Sequence, residues 1–290
     1  MRTRIKRIIF AAIALAGLNV WALNYTFQHG GTPDANGFYN WHQTTNWATG
    51  VIPAPSGDAA VFSGLNNKAL VTNSFSIQAI TMSSGSATIC GTNDSTITAN
   101  YVNMNSGTLT LENIKLTASS SIRSGGTGTE LILRGDSRVT GTLGANVANS
   151  TLSVTLYDNS VFDGLKAPSF QTSGSLIGGA ITLNDKSSLI SSVNVAILDN
   201  NYLANGMKFF LNDSASITFS VDTGNSDRII KCITNGTIYI NGKTGTSVIY
   251  GTDYTYDEVT GKLQVIPEAG TIGLFIISGS ILTVVRRSLR

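Results

Sequence analysis

Residues 152–162 read LSVTLYDNSVF, and relatives of this stretch recur along the chain. Leu152, Val154 and Leu156 alternate with small polar residues, Asp158 and Asn159 interrupt the run, and Val161 and Phe162 resume it. Alternation with a period of two, then a break, then renewed apolar residues reads as strand, turn, strand. Asp and Asn suit the break because their side chains bond the backbone two residues on. The second half of the stretch, Leu-x-(Asp, Gly or Asn)-x-(Ser or small)-x-apolar, returns from Leu133, Leu183 and Leu211, with weaker copies opened by Leu111 and Ile240. The anchors at 111, 133, 156, 183, 211 and 240 lie 22, 23, 27, 28 and 29 residues apart. A drifting period of this size marks a repeat architecture, in which one unit cannot bury its own apolar face but a stack can.

The pattern predicts an all-β chain folded as a single-stranded right-handed parallel β-helix, or solenoid, with a C-terminal transmembrane helix. Neighbouring units would add parallel strands, the rest of each coil serving as the connection. A β-sandwich array is the alternative, because it also shows short strands and frequent turns. Thirty Gly and only 12% charged residues favour short strands and tight turns over helices. Residues 24–266 hold about ten units, which at about 4.8 Å per strand make a rod somewhat under ~50 Å long. Within residues 64–110 the segments alternate, as in ALVTNSFSIQAITM, but their register is not fixed by the repeat.

The two ends have a different character. Residues 1–7, MRTRIKR, are basic, residues 8–18 are apolar, and a small residue follows at Ala22. This is the layout of a secretory signal peptide over residues 1–22, cleaved between Ala22 and Leu23. Seven of the nineteen Lys and Arg lie within residues 2–7 and 286–290. Residues 23–266 then hold twelve Lys or Arg against sixteen Asp or Glu, a net charge of −4. The basicity belongs to the ends, so no nucleic-acid partner is indicated.

Residues 23–64 hold two of the three Trp, both His and three of the five Pro. Trp41, Trp47, Gly50, Pro53, Gly57 and Asp58 precede an apolar Ala60, Val61, Phe62 run. This lead resembles that of bacterial surface proteins built on autotransporter-like β-helical repeats. Two indoles would close the end of the repeat domain of residues 65–266, which otherwise exposes apolar surface and strand edges. Tyr39, Trp41 and Trp47 also make a possible glycan contact, since aromatic faces pack on sugar rings. His29 and His42 read as exposed loop histidines, with no metal or cofactor called for.

Cys90 and Cys232 are 142 residues apart. Five or six units of a β-helix separate them by on the order of 25 Å, against ~7 Å for bridged Cα atoms. Both read as small buried core residues. Asp136, Asp158, Asp185 and Asp213 recur once per unit, and stacking would bring neighbours close. Turn residues are the preferred reading, a calcium ladder or paired catalytic carboxylates the alternatives.

The last segment, residues 267–290, opens with Pro267, Glu268 and Ala269, continues through an apolar stretch at 270–285 and ends with Arg286, Arg287 and Arg290. The stretch is just short of a comfortable span, and the basic residues after it would stay cytoplasmic. The tripartite tail resembles the PEP-CTERM sorting signal of Gram-negative bacteria, with Ala269 where the third motif position is usually Pro. The resemblance implies an exosortase-type membrane protease that cuts near Pro267 and Glu268. It also implies an inner-membrane-anchored intermediate that passes to the cell surface or extracellular matrix. The expected function is that of an exported structural or adhesive protein of the surface or exopolysaccharide matrix, with extracellular polysaccharide as a possible partner and no enzymatic role. The alternative is a β-helical polysaccharide lyase or hydrolase, which would need Asp, Lys and Arg clustered on adjacent units.

Overall fold

The computed structural model describes residues 23–53, 57–92, 94–145, 150–165, 179–192 and 206–268. The signal-peptide stretch with Ala22, the Ala269 position, the apolar stretch 270–285 and Arg286, Arg287 and Arg290 lie outside the described residues. Among the described residues no helix is long and apolar enough to cross a membrane.

The chain is mostly β. The lead contributes β1 (Asn24–Thr26), β2 (Tyr39–Asn40) and β3 (Ala59–Phe62). Well-formed strands follow as β4 (Asn67–Val71), β5 (Phe75–Met82), β6 (Ser86–Gly91), β7 (Thr96–Met104), β8 (Thr108–Glu112) and β9 (Lys115–Ser124). Next come β10 (Thr129–Arg134), β11 (Arg138–Thr140), β12 (Leu143–Ala145), β13 (Leu152–Leu156) and β14 (Val161–Leu165). After these lie β15 (Ala180–Leu183), β16 (Ser188–Ser191), β17 (Lys208–Leu211) and β18 (Ser216–Thr218). A helix α1 (Asn225–Thr234) precedes β19 (Ile238–Ile240), β20 (Tyr254–Asp257) and β21 (Lys262–Val265).

Two sheets take these strands almost alternately. One runs β1-β3-β5-β7-β9-β11-β14-β16-β18-β21-β20, with β12 on the distal part of β9, and the other runs β2-β4-β6-β8-β10-β13-β15-β17-β19. Among the described residues every pairing of these strands is parallel except β18 with β21 and β20 with β21. An antiparallel sandwich array is therefore not the arrangement.

The sequence anchors form one column. In the second sheet Leu111 pairs with Leu133, Leu133 with Leu156, Leu156 with Leu183, Leu183 with Leu211, and Leu211 with Ile240. The same column continues toward the N-terminus through Ile89, Ala69 and Tyr39, which supplies the register that the repeat left open in residues 64–110. Its members from Ala69 to Ile240 are fully buried. A facing column in the first sheet, Ile97, Leu116, Val139, Phe162, Leu189 and Ile217, is buried with it. Period-2 alternation puts these side chains inward and their neighbours outward, so the two columns fill one dry interior.

The drift of the period has a simple location. Six residues separate Leu133 from Val139, Leu156 from Phe162, Leu183 from Leu189 and Leu211 from Ile217, so the arc from the second sheet to the first is constant over these four units, against five residues from Leu111 to Leu116 and eight from Ile89 to Ile97. Beyond the spacing of 23 the added residues fall on the return arc, between β14 and β15, between β16 and β17, and between β18 and β19. In the last case they include α1, which packs Ile229, Cys232 and Ile233 into the core. The second sheet stacks nine strands rather than ten, and eight spacings of about 4.8 Å give about 38 Å.

Both ends of the stack are covered. At the N-terminal end Trp41 and Trp47 are completely buried. Their rings meet edge to face at 4.9 Å, and the Trp47 Nε1–H donates to the Trp41 carbonyl at 2.8 Å. Phe27, Phe62 and Phe75 complete the aromatic cluster. At the C-terminal end the β20–β21 hairpin turns antiparallel against β18. This reversal leaves no continuation for parallel stacking on the first sheet.

Candidate functional site

Four groups of residues carried functional expectations or surface chemistry. The first is the lead. Because both indoles lie wholly inside the N-terminal cap, neither offers a face to a sugar ring, and the contact expected of Trp41 and Trp47 gives way to a packing role. Tyr39 stays partly exposed, stacked on the exposed His29 at 4.4 Å with the rings 8° apart. His42 is half-buried rather than exposed, its ring set edge-on to Phe75 at 5.5 Å. Burial pushes its pKa below the ordinary histidine value. Leu23, the residue after the expected cleavage point, is exposed, and its carbonyl accepts the Ala59 N–H at 2.8 Å.

The second is the aspartate series. Asp158, Asp185 and Asp213 hold φ of 60°, 57° and 58°, in the left-handed region that Asp, Asn and Gly tolerate. Each carboxylate accepts the backbone N–H of the equivalent turn residue in the preceding unit. Gly135 N–H donates to Asp158 at 2.8 Å, Asp158 to Asp185 at 3.0 Å and Asp185 to Asp213 at 3.3 Å. Asn241 closes the series by accepting Asp213 N–H at 2.9 Å. Asp136, one position later, instead donates its N–H to Asn113 Oδ1 at 3.1 Å. The ladder is a backbone device. Two residues on from Gly135, Asp158 and Asp185, Ser137, Ser160 and Ser187 are buried and turn their hydroxyls to main-chain carbonyls, Ser137 lying 2.7 Å from that of Arg134. Among the described residues no group of three or more His, Cys, Asp or Glu is placed to hold a metal ion.

The cysteines differ from each other. Both are free. Cys232 is buried on α1, whereas Cys90 points outward from β6, because Ile89 beside it takes the inward position. Partial burial, with Glu112 and then Asp34 nearby, pushes the Cys90 thiol up to about 11.

The third group is the outer face of the second sheet, which no motif announced. Parallel register lines up Thr88, Thr110, Ile132, Thr155, Thr182, Phe210 and Tyr239 as one outward column. Phe210 and Tyr239 stack at 4.8 Å, and Lys208 Nζ lies 5.7 Å from the Tyr239 ring centre. Alongside, the Arg134 guanidinium covers Tyr157 at 4.3 Å, and Asn212 Nδ2 donates to Asn184 Oδ1 at 2.9 Å. All of the hydroxyl, amide and aromatic groups here are partly exposed. The face offers regularly spaced donors and acceptors with aromatic edges, which is chemistry for holding a polyhydroxylated chain rather than for breaking it.

The fourth is the junction with the tail. Ile240, Asn241, Gly242 and Lys243 form a two-residue turn with φ of 48° and 73° at its centre and reciprocal backbone bonds between Ile240 and Lys243. Lys243 Nζ lies 3.0 Å from Asp253 Oδ1 and 2.7 Å from Glu268 Oε1. The Glu268 and Asp253 carboxylates raise the pKa of the Lys243 ammonium, while the Ile249 N–H and Lys243 hold the Asp253 carboxyl below the usual carboxylate range. Pro267 follows Ile266, whose N–H donates to the Asp253 carbonyl at 2.9 Å.

No protein-family model, curated protein or solved structure matches this chain.

Proposed function

We propose that this chain is an exported structural or adhesive protein that winds as a right-handed parallel β-helix. In this reading it is sorted through Pro267, Glu268 and the tail to the cell surface or extracellular matrix of a Gram-negative bacterium, where it contacts extracellular polysaccharide. The two-sheet alternation of parallel strands supports the winding, and the strong preference of parallel crossovers for one hand supports its sense. The observation that carries the function is the outward column from Thr88 to Tyr239. Its threonine hydroxyls come in two pairs, Thr88 with Thr110 and Thr155 with Thr182, each at the strand spacing of about 4.8 Å, so a polyhydroxylated polymer finds several weak contacts in series. Tyr157, Phe210 and Tyr239 add apolar surface suited to the C–H faces of sugars.

The test is co-sedimentation with exopolysaccharide purified from the producing strain. Phe210→Ala combined with Tyr157→Ala removes outward side chains while leaving both buried columns intact. The reading expects binding to weaken several-fold with an unchanged circular dichroism spectrum. Binding of the double variant equal to the wild type would sink it.

A further inference from the structure

We infer that Lys243 clamps the Glu268 side chain to the folded C-terminal cap and thereby shields the chain against cleavage on the C-terminal side of Glu268. As a regulation of tail removal, the inference rests on the sorting role proposed above. As a statement about accessibility it stands alone.

The clamp is built from the fold rather than from the tail. Lys243 lies three residues after Ile240, the last member of the buried leucine column, and the two-residue turn between them fixes its position through paired backbone bonds. Asn241 in that turn is also the last member of the aspartate ladder. Asp253 supplies the other side of the seat. It is 7% exposed, its Oδ2 accepts the Ile249 N–H at 2.7 Å, and its carbonyl accepts Ile266 N–H at 2.9 Å. Val265 is buried in β21, so only Ile266 and Pro267 separate the core from Glu268. Proline fixes one backbone angle of that short link. A carboxylate 2.7 Å from an ammonium already seated on a buried aspartate must leave it before a peptidase can take the glutamate in its own pocket.

The pair is exposed on its outer side, with the Glu268 side chain 60% accessible. Its effect on access is accordingly small, about threefold, in keeping with exposed ion pairs. The experiment uses the full chain with its tail intact and a glutamyl endopeptidase, following loss of residues 269–290 by mass. Glu258, in the exposed turn between β20 and β21, is the internal control.

Lys243→Met should speed cleavage after Glu268 about threefold at low salt and leave cleavage after Glu258 unchanged. Lys243→Arg should behave as the wild type. Equal rates after Glu268 in wild type and Lys243→Met overturn the clamp, and so does an equal rise after Glu258, which would mean a general loosening of the cap. The producing strain supplies the separate arm. If Lys243→Met is cut faster by the endopeptidase but neither protein loses its tail in cells, the clamp stands and the sorting role fails.

Discussion

Asp185 offers the sharpest test of what the aspartate ladder does. Its carboxylate accepts the Asp158 N–H at 3.0 Å, and its own backbone sits at φ 57°. Replacing it with Ala removes a hydrogen bond worth about 1 kcal/mol and places a β-carbon in the left-handed region at a further cost of about 1 kcal/mol. Asp185→Gly loses the same bond but relieves the backbone, while raising the entropy of the unfolded chain by roughly 0.5–1 kcal/mol. Asp185→Asn keeps an acceptor and a side chain that tolerates the conformation, as Asn241 does at the end of the ladder. The expected losses are therefore about 2 kcal/mol for Ala, about 1.5 kcal/mol for Gly and under about 0.5 kcal/mol for Asn. Urea unfolding followed by far-ultraviolet circular dichroism reads the order directly, with a common denaturant slope as the check that only stability has changed. If Ala is no worse than Gly, the conformational half of the reasoning is wrong. If calcium raises the midpoint of the wild type and not of Asp185→Asn, the carboxylates hold a cation rather than the backbone.

Three other outcomes follow from the same structure. A methyl group at Gly107 meets the Gly85 carbonyl oxygen at φ +86°, whereas at Gly128 it meets nothing within 4 Å; Gly107→Ala should cost more than ~3 kcal/mol and Gly128→Ala ~1–2 kcal/mol in thermal or urea unfolding. Burial lowers the pKa of folded His42, so the unfolded chain takes up its proton first as pH falls. Stability should decline from the unfolded pKa of about 6.5 down to the folded value and level off below it, a slope that His42→Gln removes. The Cys90 thiol, pushed up to about 11, should react with a thiol reagent at pH 8 far more slowly than free cysteine, and reducing agent should not change the melting temperature.

Much of this architecture is legible in the sequence because the arc that carries the pattern keeps one length over the four units from Leu133 to Ile217. Leu156, Asp158, Ser160 and Phe162 each mark one physical role, namely inward anchor, left-handed turn, buried hydroxyl and facing anchor, and Leu183 and Asp185 repeat the first two at the same separation. Residues 64–110 obscured the column because Ala69 and Ile89 replace Leu at its anchor. Cys90 was placed on the wrong face although alternation with Ile89 already put it outside, since its apolar neighbours outweighed its parity. Helix α1 lay hidden in a chain poor in helix formers, and only Ile229, Cys232 and Ile233 at helical spacing marked it. The outer face around Phe210 and Tyr239 was not legible at all, because their stacking depends on a register between residues 29 apart. The indoles of Trp41 and Trp47 fit a platform or a plug equally well by composition, and burial decides for the plug.

The constancy of one arc and the freedom of the other amount to a map of where this protein can be edited. Residues added between β16 and β17 or between β18 and β19 leave every strand opposite the same partner, as α1 already demonstrates. One residue added within β13 would turn each following side chain of that strand to the opposite face, with apolar groups in water and hydroxyls in the core. A peptide tag or a graftable epitope therefore belongs on the return arc, and a single residue inserted within β13 should be enough to disrupt the stack.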